Sequence, residues 1–330
     1  MLNLRDKFPA AHPLRQCYRH WQAWHRVSRA AQRVGLPGAA TYFPLGGLGD
    51  DLLTTALVNP LHEQTGRSLW ALSHHPAIFE GLKHVSAVLP PTQETARRLE
   101  SLGVRVIRPN YTAVLAGGSG HAIPREHILA TMARKANVTG RFELRPWMSP
   151  RDDEMEAVRF ARNAIVFQSS GLAARFPIPN KEWEPSRFAE VAAQLASTHP
   201  VIQIGSPADP LIPSARDLRG QTTLRQMAAI LKQARLFVGL VGFPMHVARA
   251  VDCPAVIVYG GREAPWQSGY GANLNLYNPV ECAPCWLVDR CDHAHRCMRE
   301  ISATDVVAAI QTKLGQPRTP LPTDSIQLDS

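Results

Sequence analysis

A chain of 330 residues is longer than one hydrophobic core usually organises, so two α/β-sized domains with trimmings are expected. With 45% apolar and 19% charged residues, no repeat period and no uncharged apolar run of the roughly 18 residues that a membrane span needs, the composition excludes a disordered chain, a solenoid and an integral membrane protein. The formal charge of +9 is concentrated at one end: residues 1–38 carry +6 of it, which argues against an evenly basic nucleic-acid binder.

That basic N-terminal segment (1–38) holds Arg5, Lys7, Arg15, Arg19, Arg26, Arg29 and Arg33 against Asp6. Within it Trp21, Trp24, Val27, Ala31 and Val34 recur at steps of three and four, the pattern of an amphipathic basic helix. Either its tryptophans pack on the domain behind, which is the favoured expectation, or the helix attaches to an anionic membrane face. From residue 39 to 155, short apolar strands (Thr41–Leu45, Ser68–Leu72, Ser86–Leu89, Val104–Arg108) alternate with helical stretches at Asp51–Gln64, Thr92–Leu102 and Pro124–Asn137. A helix at Arg151–Arg162 then leads into a second round over 156–315. Its strands are predicted at Ala164–Gln168, Val201–Gly205, Leu236–Val241 and Ala255–Tyr259, its helices at Pro185–Ser197, Thr223–Ala234 and Pro244–Val251, and a closing helix starts at Ser302. Repeated β–α alternation predicts parallel sheets covered by helices on both faces. The Pro- and Thr-rich segment 316–330 has no periodicity and reads as a disordered tail.

Two successive Rossmann-like halves place ligands beyond the carboxyl ends of their strands, in a cleft between them. Three segments fall there. The first strand runs into a turn with Gly46, Gly47 and Gly49, followed by Asp50 and Asp51 at a helix start, where a carboxylate is stabilised by the helix dipole. Lys181, in the loop before Trp183, lies where a cation could meet a phosphate. The run Gly242, Pro244, Met245 and His246 opens a helix whose free N–H groups could bind an anion, with His246 as a further donor.

Together these segments resemble glycosyltransferase family 9, the heptosyltransferase-like enzymes of GT-B architecture, from about residue 40 to 312. The resemblance implies two Rossmann-like domains facing a central cleft, an acceptor domain at 39–155 and a nucleotide-sugar donor domain at 156–315. The family's Gly-Asp after the first strand falls on Gly49-Asp50 and implies that Asp50 is the catalytic base. Its Lys-x-Trp falls on Lys181-Glu182-Trp183 and implies that Lys181 contacts the donor phosphates. A Gly-x-Thr-Ser-Leu step resembles Gly220 to Leu224, which with Gly205 adds Thr222 and Thr223 to the expected donor site. The Asp-Ser/Thr-Gly-x-x-His motif aligns with Val241 to His246 and keeps only the histidine. The expected reaction is inverting transfer of a sugar, with ADP-heptose the donor implied, to a glycan or protein acceptor, without a catalytic metal. Two other readings stay open: a nucleotide-sugar epimerase of the same architecture, and a degenerate member that only binds.

Four of the six cysteines form a separate cluster. Cys282 and Cys285 make a C-x2-C unit, followed by Cys291 and Cys297, a set suited to a structural zinc or iron ion in a Cys-rich C-terminal finger. Cysteines used this way, without an apolar signal-peptide core, predict a cytoplasmic setting, extended by the N-terminal helix to the cytoplasmic face of the inner membrane.

Overall fold

The computed structural model describes residues 13–44, 46–115, 118, 120–317 and 320–329. In chain order the first half contains α1 (Pro13–Val34), β1 (Ala39–Tyr42), α2 (Leu48–Thr54), α3 (Val58–Thr65), β2 (Leu69–Leu72), α4 (Pro76–Phe79), β3 (Val85–Leu89), α5 (Gln93–Ser101), β4 (Arg105–Ile107), α6 (Ile128–Lys135), β5 (Gly140–Glu143) and α7 (Asp152–Ala157). The second half contains β6 (Ile165–Phe167), α8 (Pro185–Leu195), β7 (Val201–Gln203), β8 (Arg216–Asp217), α9 (Leu224–Gln233), β9 (Leu236–Leu240), α10 (Phe243–Ala250), β10 (Ala255–Gly260), α11 (Pro265–Ser268), β11 (Leu274–Tyr277), α12 (Arg296–Arg299), α13 (Ala303–Gly315) and β12 (Ser325–Leu328).

Two parallel sheets result, in the orders β3-β2-β1-β4 and β11-β10-β9-β6-β7-β8. Strand residues alternate between two cores. Ala39, Leu69 and Ala71 face a large core that also includes Leu52, Leu53, Met245 and Ala248 from both halves. Ala40, Tyr42, Trp70 and Leu72 face a smaller one under α1 and α5. Strands buried on both faces read as continuous apolar runs, which is why β1, β2, β9 and β10 are visible in the sequence. The second sheet splits likewise, Phe237 and Ile257 facing the shared core and Val238 and Val258 facing α8 and α13. Because one core runs through both halves, the lobes are packed against each other along one side of the cleft.

A buried arginine fixes that side. Arg225 of α9 donates to Glu154 through Nε (2.5 Å) and Nη2 (2.7 Å), and to the carbonyls of Ser149 (2.8 Å), Glu80 (3.0 Å) and Ala77 (3.2 Å) in the first half. All its donors point at fixed acceptors, so the guanidinium sets the angle between the lobes as well as closing them.

Two expectations are corrected here. The segment after 316 is not structureless where it is described: β12 pairs antiparallel with β5, and Asp324 accepts from Gly271 N–H (2.6 Å) while its carbonyl accepts from Leu144 N–H (2.8 Å). A strand that pairs at an edge far away in sequence leaves no local period to read. The tryptophans of α1 are not buried against the domain either: Trp21 is 55% and Trp24 49% exposed, and Trp24 meets the Arg98 guanidinium of α5, 6.0 Å from its ring centroid. Small residues make the contact instead, Ala23 and Val27 buried and Ala30 and Ala31 beside them, letting the helix approach α5 and β3 closely.

Candidate active site between the two lobes

The turn after β1 delivers Asp50 to the first turn of α2, earlier than the helix start expected at Asp51. Leu45, the expected end of the strand, lies outside the described residues; the strand ends at Tyr42. Gly47 is the N-cap, and its N–H donates to Asp50 Oδ2 (2.8 Å). Tyr111, in the loop after β4, donates its hydroxyl to Asp50 Oδ1 (2.9 Å). Withdrawal from solvent raises the Asp50 pKa above the ordinary carboxylate value, against the Gly47 and Tyr111 hydrogen bonds, and neighbouring Asp51 raises it further. A carboxylate both oriented and held at raised proton affinity is equipped as a general base. Gly46 and Gly49 differ in their need to be glycine: a Cβ on Gly46 would lie 3.0 Å from the Phe43 side chain, while Gly49 has open space.

Asp51 is 5% exposed, and its Oδ2 accepts from the Ser73 hydroxyl (2.5 Å) and from His75 Nδ1–H (2.7 Å). Both partners sit just past the carboxyl end of β2, so the pair of neighbouring acids divides into one that faces Tyr111 and one that braces a histidine.

Lys181 closes a 3-10 turn, Pro179–Lys181, before α8. Its ammonium meets Glu263, which also accepts from Arg262 Nη1 (2.5 Å) and from the Ser268 hydroxyl (2.6 Å). Burial lowers the Lys181 pKa, Glu263 opposes the fall, and Arg262 adds to it. Burial alone would raise Glu263, but the two cations and the Lys181 and Ser268 hydrogen bonds outweigh it and hold the carboxyl down to about 2. Two cations against one carboxylate leave this group one positive charge. Lys181 and Asp50 lie near enough for each charge to act weakly on the other's pKa, and Tyr111 lies within similar reach of Glu263 and Arg262. Trp183 does not join them: it is 1% exposed, packs edge-on against Phe188 and donates Nε1–H to Ile301 O (2.9 Å), anchoring the loop that carries Lys181.

The other expected donor-side residues separate by what already occupies them. His246, in the first turn of α10, is 6% exposed, and its Nδ1 lies 2.6 Å from the Tyr270 hydroxyl. Burial pushes its pKa down to about 3, so it stays neutral, with Nδ1 engaged by the Tyr270 hydroxyl. The Met245 side chain is fully buried in the shared core, which leaves its backbone in the first turn of α10 as the part open to a ligand. Gly242 caps α10 with open space beside it, and Pro244 sits in the helix's first turn. Gly205 is required locally: at φ +136° a Cβ would lie 2.2 Å from Asp209 Oδ2. The Thr223 hydroxyl is engaged as the cap of α9, accepting from Gln226 N–H (3.2 Å), and Thr222 is half-buried next to it.

Cys282, Cys285, Cys291 and Cys297 are half-buried and not joined by disulfides. Burial raises the pKa of Cys282 and Cys297, and the neighbouring thiols of the set raise it further, so the four lie within reach of one another's charge. Sulfur donors in a C-x2-C unit suit a thiophilic ion such as iron or zinc. Among the described residues, however, no group of three or more His, Cys, Asp or Glu side chains is arranged to hold a metal.

Sequence reasoning missed Tyr111, His75, Arg262, Glu263 and Tyr270. Arg262 and Glu263 follow a strand the sequence shows clearly and could have been found by the same strand-end rule that picked out Lys181. Tyr111 lies in a loop without periodicity and leaves no such signal.

Comparison with known proteins accords with this arrangement. The sequence profile described as glycosyltransferase family 9 (heptosyltransferase) matches residues 107–290, more than half of the chain. "Lipopolysaccharide heptosyltransferase 3" of Escherichia coli is 25% identical over 32% of this chain and 32% of its own length. "Lipooligosaccharide heptosyltransferase 2" of Campylobacter jejuni is 23% identical over 42% of this chain and 48% of its own, so the similarity spans between a third and a half of these curated relatives. Among solved structures, the iron-containing dodecameric glycosyltransferase TibC of enterotoxigenic E. coli shares the fold at a TM-score of 0.66 and 17% identity, over 84% of this chain and 76% of that one. The same protein has been seen with ADP-D-β-D-heptose. The two facing parallel α/β sheets have the GT-B arrangement of these neighbours, and with its profile covering more than half of the sequence, this chain belongs to glycosyltransferase family 9.

Proposed function

We propose that the chain transfers a heptose from ADP-heptose to a glycan or protein acceptor with inversion at the anomeric carbon. One observation carries the reading: Asp50, which accepts from Tyr111 at the start of α2 in the first half, and Lys181, ion-paired with Glu263 just before α8 in the second, both lie beyond the carboxyl ends of their strands. In the reaction the acceptor hydroxyl oxygen attacks the anomeric carbon while Asp50 takes its proton. The bond to the diphosphate breaks, and its electron pair leaves on a phosphate oxygen, where Lys181 and the net positive charge around it stabilise the product. Glu263 keeps the ammonium in place until phosphate competes for it. The open N-terminus of α10 at Gly242 and Pro244, with the neutral ring of His246, supplies further donors to the diphosphate, and Gly205 with Thr222 lines the nucleotide side. Gly46, Gly47 and Gly49 let an acceptor approach the base. The profile match and the heptose complex of TibC support the sugar and the nucleotide.

Three further parts complete the reading. The four cysteines hold a structural iron or zinc ion outside the chemistry, a reading supported by the iron in TibC and testable by elemental analysis. The enzyme works in the cytoplasm, and α1 attaches it to an anionic membrane face. No helix among the described residues is long and apolar enough to cross a membrane.

A thermal-shift titration with ADP-heptose and UDP-glucose, followed by product analysis, tests the proposal. ADP-heptose should raise Tm and the Lys181→Ala variant should lose most of that rise. Conversion of the nucleotide sugar without an acceptor would indicate an epimerase, and binding without turnover a degenerate member; either overturns the reading.

A further inference from the structure

The cysteine-rich loop meets the cationic group at two points, Asn180 and Arg262, mostly through backbone carbonyls and once through a histidine side chain. Asn180, the residue before Lys181, is 4% exposed. Its N–H donates to Val288 O (3.1 Å), its Nδ2 donates to Arg290 O (2.9 Å), and its Oδ1 accepts from His295 Nε2–H (2.9 Å). All three partners lie between Cys285 and Cys297. Arg262, the second cation, is 1% exposed and donates Nε–H to Leu287 O (2.7 Å) and Nη2–H to Trp286 O (3.2 Å), while Trp286 N–H returns a bond to Arg262 O (3.0 Å). The same Trp286 carbonyl accepts from His121 N–H (3.0 Å) of the first lobe. Lys181 therefore stands between two anchors: Trp183 in the hydrophobic core on one side, and an amide held by the cysteine loop on the other.

An anchor of this kind has a consequence for the flexible lysine side chain. Four rotatable bonds give an ammonium many positions, and a fixed backbone limits them to those Glu263 can meet. Trp183 fixes the segment as a whole, but the Asn180 contacts fix the turn from which the lysine departs. We propose that Asn180 is a positioning residue through which the cysteine-rich loop sets the place of the Lys181 ammonium. This deepens the transfer reading and rests on it for the role of Lys181, though the coupling itself is a property of the protein without substrate.

The test uses the full-length protein as purified, with Asn180→Ala, Asn180→Asp, His295→Ala and the Asn180→Ala/His295→Ala double variant. Acetylation of Lys181 by acetic anhydride, read by peptide mass spectrometry, reports its pairing with Glu263 without any ligand, and the other lysines serve as controls. Losing the bonds of a buried amide should raise Lys181 labelling and weaken ADP binding by about tenfold each in Asn180→Ala. His295→Ala should show part of both effects, and the double variant should be no worse than Asn180→Ala, because the two act through one contact. Asn180→Asp keeps the acceptor for His295 and should fall between wild type and Asn180→Ala. Unchanged Lys181 labelling in Asn180→Ala, effects that simply add in the double variant, or equal changes at all lysines would overturn the proposal. Absence of ADP binding in every form, wild type included, would refute the donor reading, while Lys181 labelling would still decide the coupling.

Discussion

At the scale of single residues, the site consists of charges whose neighbours determine what they can do. Asp50 is held above the ordinary carboxylate pKa by withdrawal from solvent, and only its ionised form accepts a proton. Activity should therefore fall on the acid side through an apparent pKa above 3.8, higher than an exposed aspartate would give. Tyr111 opposes that shift by donating to Asp50, so Tyr111→Phe should move the acid limb further up in pH and lower kcat at neutral pH. A pH–rate profile of the variant checks this; an acid limb that stays in place or moves down would exclude Tyr111 from the role. Asp50 and Lys181 could be singled out in the sequence because each lies in the connection from a strand to a helix, beside Gly, Pro or Trp. Their partners were less legible: nothing local distinguishes Tyr111 from any loop tyrosine.

Elements follow the sequence where their contacts are periodic and depart from it where they are not. The helix α8 buries Phe188, Val191, Ala192 and Leu195, the residues its spacing selects. In α1 the same spacing placed Val27 and Ala31 correctly but not the aromatics, because Ala23 and Val27 are buried on the domain while Trp21 and Trp24 stay largely exposed. What remains outside is an aromatic stripe in which Tyr18 and Trp21 stack at 5.9 Å, beside Arg19, Arg26, Arg29 and Arg33. No carboxylate lies within ion-pair distance of these four arginines among the described residues. With the helix attached to anionic lipid, full-length protein should sediment with phosphatidylcholine vesicles containing one-third phosphatidylglycerol, and not with pure phosphatidylcholine. Changing Arg26, Arg29 and Arg33 to Ala should weaken binding on the order of 100-fold, at about 1 kcal/mol for each arginine near the surface. Equal binding by the variant, or self-association through the stripe, would exclude the membrane contact. A second element-level test concerns Arg225, whose five contacts close the lobes: Arg225→Ala should lower the denaturant-unfolding stability by about 1.5–3 kcal/mol, since it removes the charge-assisted bonds to Glu154, which keeps only its Arg151 partner.

For the molecule as a whole, two buried histidines tie stability to pH. His127 donates Nε2–H to Gly269 O (2.9 Å) in the other lobe, and burial lowers its pKa to about 4; burial lowers His246 to about 3. Both bind a proton less readily folded than unfolded. Their contribution is complete above the ordinary value of 6.5 and is lost as pH falls from there, toward 4 for His127 and toward 3 for His246. Denaturant midpoints should thus decline between about pH 6.5 and 4, and His127→Gln should flatten that decline. A midpoint flat across this range would contradict the buried, neutral state of both rings. The β–α alternation and the division into two lobes were legible, because parallel strands buried on both faces are long enough in apolar content to be seen. The return of β12 to β5 was not, since a short edge pair is decided by contacts nearly two hundred residues apart. The relative placing of the lobes was hidden for the same reason: Arg225, one of many arginines in the sequence, acquires its meaning only from carbonyls in the opposite half.

The convergence of Asp50 and Lys181 on one substrate is tested most directly by the initial rate of ADP release from ADP-heptose in the presence of acceptor, comparing wild type with Asp50→Asn. Loss of the base should lower kcat by about 10²–10⁴-fold while leaving ADP affinity, set by the opposite lobe, within a few-fold of wild type. Turnover by Asp50→Asn at the wild-type rate would contradict the account.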